Sequence, residues 1–367
     1  MAAAGLRLSY LPRSLSAVCA WPRLPSNWSP ARSFGSGASA REQFLYTRPG
    51  LKSKIIDGKR IAEAVKAEVA DEVSGLVSGG KRPPHLTAVI VGDDKASQIY
   101  VGNKMKAAEK CGLRATILKR DSSLEQNELL DILHQLGRDE LVDGILVQLP
   151  LPPHIHEKTI CNAVPPNKDV DAFHIDNIGH FCSGDPRFVP ATPLGVLEII
   201  KRLRVPTFGK NVCIANRSKN IGFTLATLLH SDGTGDATTL ICHRYTPPEQ
   251  LPVMTRLADI IIVATGIPGL IQADMVKDGA TVIDIGITRL ANNKIVGDVA
   301  FDEVIITSLL LHHLTSDPYT QVCQVAGMVT PVPGGVGPLT VAMVIKNTLK
   351  AATQDFTFDF TSIHDDQ

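Results

Sequence analysis

The stretch NVCIANRSKNIG, residues 211–222, decides the fold. Its first half, Asn211 to Ala215, is a short apolar run of strand type; its second half is polar and small and leads into an apolar helical stretch. Strand, tight turn and helix open a βα unit, where free N–H groups and the positive helix end face a pyrophosphate. Asn216, Ser218 and Gly222 therefore sit where a dinucleotide binds, although an ordinary capped helix start uses the same residue types. Three further apolar strands follow: ATTLICH (237–243), DIIIVATG (259–266) and TVIDIGI (281–287). Their spacing predicts a Rossmann-like parallel sheet flanked by helices. Ligands lie across the carboxyl ends of such strands, which adds Ala264, Thr265, Gly266, Gly286 and Ile287 to the cofactor-binding candidates.

After the second of these strands comes HRYTP, with His243 and Arg244 near the place where an acidic residue normally binds a ribose hydroxyl. An arginine suits a phosphate instead, either the 2′-phosphate of NADP or a separate inorganic ion, and Arg217 in the first turn can join it. Two solvated surface arginines are the alternative.

Upstream, IIDGKRIAEAVKAEVADEVSGLV (55–77) places Ile61, Val65, Val69, Val73 and Leu76 on one helical stripe. The strand LTAVIVG, a helix from Ala96 to Glu109, ATILKR, a helix from Leu124 to Leu136 and GILVQLP continue an alternation that predicts another parallel sheet. The expected architecture is α/β with two domains. Residues 50–195 form the first, completed by a C-terminal helix at 338–352, and residues 196–330 form the dinucleotide-binding second; 353–367 read as an acidic tail.

In the first domain Tyr100 and Lys104 lie at i and i+4, so ring and amine share a helix face. Most such pairs are surface features. Gln148 at the end of a strand and the acids Asp169 and Asp171 in KDVDAF offer an amide and a carboxylate with which such a lysine could be tuned for proton transfer. TPVPGGVGPLT (330–340), with Pro333, Gly334 and Gly335 at its centre, reads as a rigid turn or a ligand-contacting loop.

The whole chain has 367 residues, 44% hydrophobic and 20% charged, with 37 basic and 37 acidic side chains. That balance leaves no electrostatic footprint for nucleic acid, and no apolar run reaches the roughly 18 residues of a membrane span. Seven cysteines without a C-x-x-C pair fit free thiols in a reducing compartment. Residues 1–41 hold five arginines, eight serines and no acid, the pattern of a mitochondrial transit peptide.

Taken together, YVGNKMKAAEKCG, GILVQLPLPPHI, PPNKDVDAFHIDNIGH, PATPLGVLEIIKR, NRSKNIG, HRYTP and TPVPGGVGPLTVAM resemble the methylenetetrahydrofolate dehydrogenase/cyclohydrolase family over about residues 55–350. HRYTP and the N-terminus resemble its mitochondrial, NAD-preferring members. The resemblance implies oxidation of methylenetetrahydrofolate, hydrolysis of the methenyl product, a homodimer, and a folate cleft between the domains. A folate- or nucleotide-binding protein without dehydrogenase activity is the alternative. By matching position, Lys104 is the implied catalytic lysine, Gln148 tunes it, Tyr100 stacks on the aminobenzoyl ring and Asp171 holds the pterin. Arg217 and Arg244 hold inorganic phosphate, and Asp236 ligates magnesium. The location implied is the mitochondrial matrix or the inner membrane's face.

Four departures from the family pattern stand out. Asn216 and Ala172 replace glycines, and the loop between His230 and Asp236 is short. The segment 305–325, IITSLLLHHLTSDPYTQVCQV, stands where about three residues suffice; it reads as a surface insertion, an interaction segment or a stretch absent from the mature protein. Its adjacent His312 and His313 point apart on any regular element, which argues against metal ligation.

Overall fold

The computed structural model describes residues 38–48, 50–301 and 322–357. A short helix, α1 (Ala38–Glu42), precedes strands β1 (Leu45–Tyr46) and β2 (Lys54–Ile56). Helix α2 (Gly58–Ser78) starts where the Asp57 carboxylate accepts from the Arg60 N–H at 3.0 Å, and it buries Ile61, Val65, Val69 and Val73. Next come β3 (His85–Val91), α3 (Lys95–Lys110), β4 (Arg114–Arg120), α4 (Gln126–Arg138) and β5 (Gly144–Val147). These three strands form a parallel sheet in the order β4-β3-β5. Every residue of β3 is buried, as a central parallel strand covered on both faces requires.

Short helices α5 (Glu157–Cys161) and α6 (Ile175–Cys182) lead to α7 (Ala191–Arg202). Beyond it lie β6 (Asn211–Ala215), a five-residue π-helical turn at Lys219–Phe223, α8 (Thr224–His230), β7 (Thr238–Cys242), α9 (Leu251–Leu257), β8 (Ile260–Val263) and β9 (Thr281–Asp284). A small antiparallel ribbon, β10 (Thr288–Arg289) with β11 (Ile295–Val296), follows. The described chain closes with α10 (Val322–Val325), β12 (Met328–Val329) and α11 (Val336–Thr353).

The larger sheet runs β1-β2-β12-β9-β8-β6-β7 and is parallel except for the β1–β2 pair. Residues 45–56 thus join this sheet rather than the smaller one, with Ile55 beside Val329. Conversely α11, last in the chain, packs on α2, α7 and α3, so the two ends of the described chain are woven through both sheets. The order β9-β8-β6-β7 reverses direction beside β6, which creates a crevice at the carboxyl ends of β6 and β8.

The N-terminal 37 residues, and 302–321, which include 305–321 of the 305–325 segment, lie outside the described residues, as do 358–367 of the tail. The rest of that segment, Val322 to Val325, is α10.

Candidate active site

Helix α3 is seated by Asp94, whose carboxylate accepts from the Ser97 N–H at 2.7 Å. One helical turn further on, Tyr100 and Lys104 meet: the ammonium nitrogen lies 4.5 Å from the ring centroid, and Lys104 is only 5% exposed. Burial lowers the pKa of Lys104, and the nearby charge of Asp171 opposes that shift. Burial likewise raises the pKa of Asp171, with Lys104 opposing. Tyr100 is pushed up to about 12, first by burial and then by Asp171, against a hydrogen bond to Thr340. Lysine, ring and carboxylate therefore occupy one half-buried place, where a neutral amine is reached at lower pH than in water.

Thr340, on the second turn of α11, contacts Thr192 of α7 at 3.2 Å between hydroxyls, so α3, α7 and α11 meet around the tyrosine. Thr340 closes the TPVPGGVGPLT stretch, but nothing in the sequence joins it to Tyr100, 240 positions away. Gln148 directly follows β5. Its amide nitrogen donates to the Leu149 carbonyl at 2.5 Å, while Oε1 is buried without a hydrogen-bond partner, an acceptor waiting for a donor.

Asp171 is presented by a loop that Asp169 organises. The buried Asp169 carboxylate accepts from the His174 N–H at 2.8 Å and from the Asn177 amide at 2.9 Å. Between the two acids and this anchor, Ala172 takes φ +58°, a conformation that glycine adopts freely and alanine at a cost. The alanine is thus accommodated in the left-handed region, with Asp171 still facing Lys104.

Burial, with a smaller push from Asp171, raises Asp169 to about 7, against the hydrogen bonds it accepts. A carboxyl raised in the folded state favours folding most at low pH, and that contribution is lost as pH rises from about 4 through 7. We expect Asp169→Asn to remove this slope, so that between pH 5 and 8 the wild type loses about 2 kcal/mol relative to the variant in urea denaturation. Parallel pH profiles would count against a buried, protonatable Asp169.

The cofactor candidates gather at the crevice. Asn216 folds its side chain inward: Oδ1 accepts from the N–H of Ser218 at 2.7 Å and of Gly222 at 3.0 Å, and Nδ2 donates to the Ala264 carbonyl at 2.5 Å. The amide thus spans the crevice from the end of β6 to the end of β8. Asn216 has no positive φ, so its tolerance of left-handed backbone is not what places it there. A Cβ on Gly222 would come 1.9 Å from the Asn216 carbonyl oxygen, which is why glycine occupies that position.

Arg217 lies over the Tyr245 ring, 5.1 Å from its centroid, so the turn after β6 meets the turn after β7 that carries Arg244. His243 contacts the same tyrosine edge-on and accepts at Nδ1 from the Tyr245 N–H at 3.2 Å. Tyr245, 71% exposed, was overlooked in the sequence although it lies within HRYTP. Thr265 and Gly266 form the turn after β8, and Gly286 and the exposed Ile287 follow β9.

The loop carrying Pro333, Gly334 and Gly335 rests on the start of α2, where a Cβ on Gly58 would come 1.8 Å from the Gly335 carbonyl oxygen. Asp236 stands apart from the other candidates. It precedes β7, its carbonyl accepts from Gly209 ahead of β6, and its carboxylate accepts from the Gly233 N–H at 3.1 Å. That is the amino edge of the sheet, whereas Arg217 and Arg244 are at the carboxyl edge, a strand length of about 16 Å away. Among the described residues no three His, Cys, Asp or Glu side chains group to hold a metal ion.

Comparison with known proteins places these features in context. The family model described as tetrahydrofolate dehydrogenase/cyclohydrolase, catalytic domain, matches residues 56–171. The companion model for the NAD(P)-binding domain of that family matches residues 190–315 and again 312–356, its break falling inside the 305–325 segment. The chicken protein named bifunctional methylenetetrahydrofolate dehydrogenase/cyclohydrolase, mitochondrial, is 47% identical over 335 residues, covering 88% of this chain and 94% of its own. Among solved structures, a 5,10-methylenetetrahydrofolate dehydrogenase from the silkworm Bombyx mori aligns with TM-score 0.74 at 46% identity, over 82% of this chain and 98% of its own. The Trypanosoma brucei N5,N10-methylenetetrahydrofolate dehydrogenase-cyclohydrolase, complexed with NADP cofactor and inhibitor, aligns with TM-score 0.74 at 35% identity over 82% and 98%.

Proposed function

The chain belongs to the tetrahydrofolate dehydrogenase/cyclohydrolase family, and from that premise we propose how its own residues divide the work. It is a bifunctional enzyme that oxidises methylenetetrahydrofolate to methenyltetrahydrofolate with an NAD(P) cofactor and hydrolyses the product to formyltetrahydrofolate. Nothing favours a binding protein that has lost the dehydrogenase step.

The observation that carries the residue assignment is Lys104, buried against the Tyr100 ring and facing Asp171. Tyr100 offers a flat face to the aminobenzoyl ring, and Asp171 accepts from the pterin's N–H groups. A nicotinamide held in the crevice would supply the hydride acceptor for the one-carbon unit, whose two flanking nitrogens stabilise the cation left behind. In the hydrolytic step Lys104, as a neutral amine, takes the proton of the attacking water while the new C–O bond forms. It then returns a proton to the ring nitrogen as the C–N bond breaks. Gln148, through its unpaired Oε1, orients the amine. We assign Pro333, Gly334 and Gly335, on the loop that rests against the start of α2, to substrate binding.

The crevice at Asn216, Ser218, Gly222, Ala264, Thr265, Gly266, Gly286 and Ile287 takes the dinucleotide. Arg217 and Arg244, on turns that meet over Tyr245, fit an inorganic phosphate where NADP carries its 2′-phosphate, which is the basis for a preference for NAD. Magnesium does not fit at Asp236, which sits at the opposite edge of the sheet from Arg217 and Arg244, and among the described residues no three His, Cys, Asp or Glu side chains group around it.

As in the relatives named mitochondrial, we place the protein in the mitochondrion, in the matrix or at the inner membrane's face. Among the described residues no helix is long and apolar enough to cross a membrane. A homodimer is supported by β7, an end strand of the larger sheet on which Ile241 is 41% exposed.

The test follows absorbance as the full chain is mixed with methylenetetrahydrofolate and either NAD or NADP, with and without inorganic phosphate. Reduction should be faster with NAD and should accelerate with phosphate. Faster reduction with NADP, indifferent to phosphate, would remove the phosphate from the Arg217–Arg244 site.

A further inference from the structure

Two fully buried carboxylates, Asp284 and Asp298, lie behind the cofactor crevice, and neither touches the reacting groups. Asp284 ends β9, and its carboxylate accepts from the Gly286 N–H at 2.8 Å and the Val299 N–H at 2.9 Å. It thereby fixes residues 297–299 against the end of the sheet. Asp298, on that segment, reaches the turn after β8. A single oxygen, Oδ2, accepts from the Thr265 N–H, from the Thr265 hydroxyl at 2.9 Å and from the Gly266 N–H at 3.0 Å.

Glycine backbone approaches both acids closely. A Cβ on Gly286 would come 2.3 Å from the Asp298 carboxyl carbon, and one on Gly297 would come 2.0 Å from an Asp284 oxygen. Asp298 Oδ1 is buried with no hydrogen-bond partner, an expensive condition for a carboxylate in a packed interior. Burial and the neighbouring Asp298 charge raise Asp284 to about 6. A turn could be closed far more cheaply by a serine or an asparagine. What the carboxylate adds is one strong acceptor that gathers three donors of a single turn.

We propose that Asp298 is a positioning residue of the dehydrogenase half, holding the Ala264–Gly266 turn at the spacing across the crevice that the dinucleotide needs. The turn is gripped from two sides, by Asn216 from β6 and by Asp298 from behind. The hydrolytic site lies on α3, β5 and the 169–177 loop, and Asp298 makes no contact there. This inference rests on the placement of the dinucleotide proposed above.

The bifunctional chain carries its own control. In Asp298→Ala, the KM and the directly titrated Kd for the cofactor should rise at least ten-fold, while hydrolysis of added methenyltetrahydrofolate stays within two-fold of wild type. Asp298→Asn keeps the volume and one acceptor oxygen, with its amide nitrogen on the side where Oδ1 has no partner, and should recover most of the affinity. Asp298→Val, which keeps most of the volume but no acceptor, should weaken cofactor binding several-fold and serves if the alanine variant does not fold. Equal loss of both activities, an unchanged cofactor Kd, or no recovery in Asp298→Asn would overturn the proposal. A wild-type chain that binds cofactor without reducing it would instead refute the dehydrogenase reading and leave the Kd comparison to decide the role of Asp298.

Discussion

Lys104→Met should lower the hydrolysis of methenyltetrahydrofolate by roughly 10³-fold, within the range that a positioned acid–base group contributes. The lysine is 5% exposed and lies against the Tyr100 ring, so a methionine of similar length fills the same space and the fold survives. The chemistry does not survive, because the amine that faces Asp171 has gone. Oxidation suffers less, since hydride departure requires no proton to be taken by Lys104. The pH profile gives a second reading. Burial lowers the pKa of Lys104, so hydrolysis should rise with pH and level off earlier than for an exposed lysine. Stopped-flow absorbance of the methenyl chromophore measures both. Retained hydrolysis in the methionine variant would take the lysine out of the mechanism.

Gly222→Ala should produce the opposite separation, a fall in NAD(P) reduction of at least about 100-fold with hydrolysis within two-fold of wild type. The new Cβ would stand 1.9 Å from the Asn216 carbonyl oxygen and 2.8 Å from Asn216 Oδ1. Neither atom can yield cheaply, because Oδ1 already accepts from Ser218 and Gly222 and the same amide donates to Ala264. Relief comes by pushing the start of the helix away from β6, and a displacement near 1 Å at a binding turn costs about two orders of magnitude. Steady-state rates of cofactor reduction beside methenyl hydrolysis check it. Loss of both activities together would show that the overlap is relieved through the whole sheet rather than at the turn.

How much of this was legible in the sequence depends on the range of the interaction. The run Asn211–Gly222 announced strand, turn and helix because each part is decided by neighbours a few residues away, and the same holds for the Tyr100–Lys104 face of α3. Pairings across the chain left no local trace. Residues 54–56 join residues 328–329 although nothing in either segment names the other. Cys213 and Cys242, far apart in sequence and in no recognisable motif, bring their sulfurs within 3.6 Å because β6 and β7 are adjacent. Asp236 was assigned by resemblance alone, and its distance from Arg244 is set by β7, the extended strand that lies between them. Asp298 stayed hidden because a buried acid that holds a turn looks, in sequence, like any acid in a loop.

The pairing of β2 with β12 also governs the order in which the molecule can be finished. Strand β2 is held between β1 and β12, and β12 is what joins that pair to β9. During synthesis the N-terminal ribbon therefore emerges about 270 residues before its partner, and α2 emerges equally early relative to α11. Closing so long a loop is slow and comes late, because its entropy must be met before any contact rewards it. Until the last strand and α11 leave the ribosome, the flank of β9 stays open and α2 lacks its main neighbour. A chain of this topology reaches its native state after translation, as a whole, and a nascent chain stopped short of residue 328 has no complete sheet to fold into.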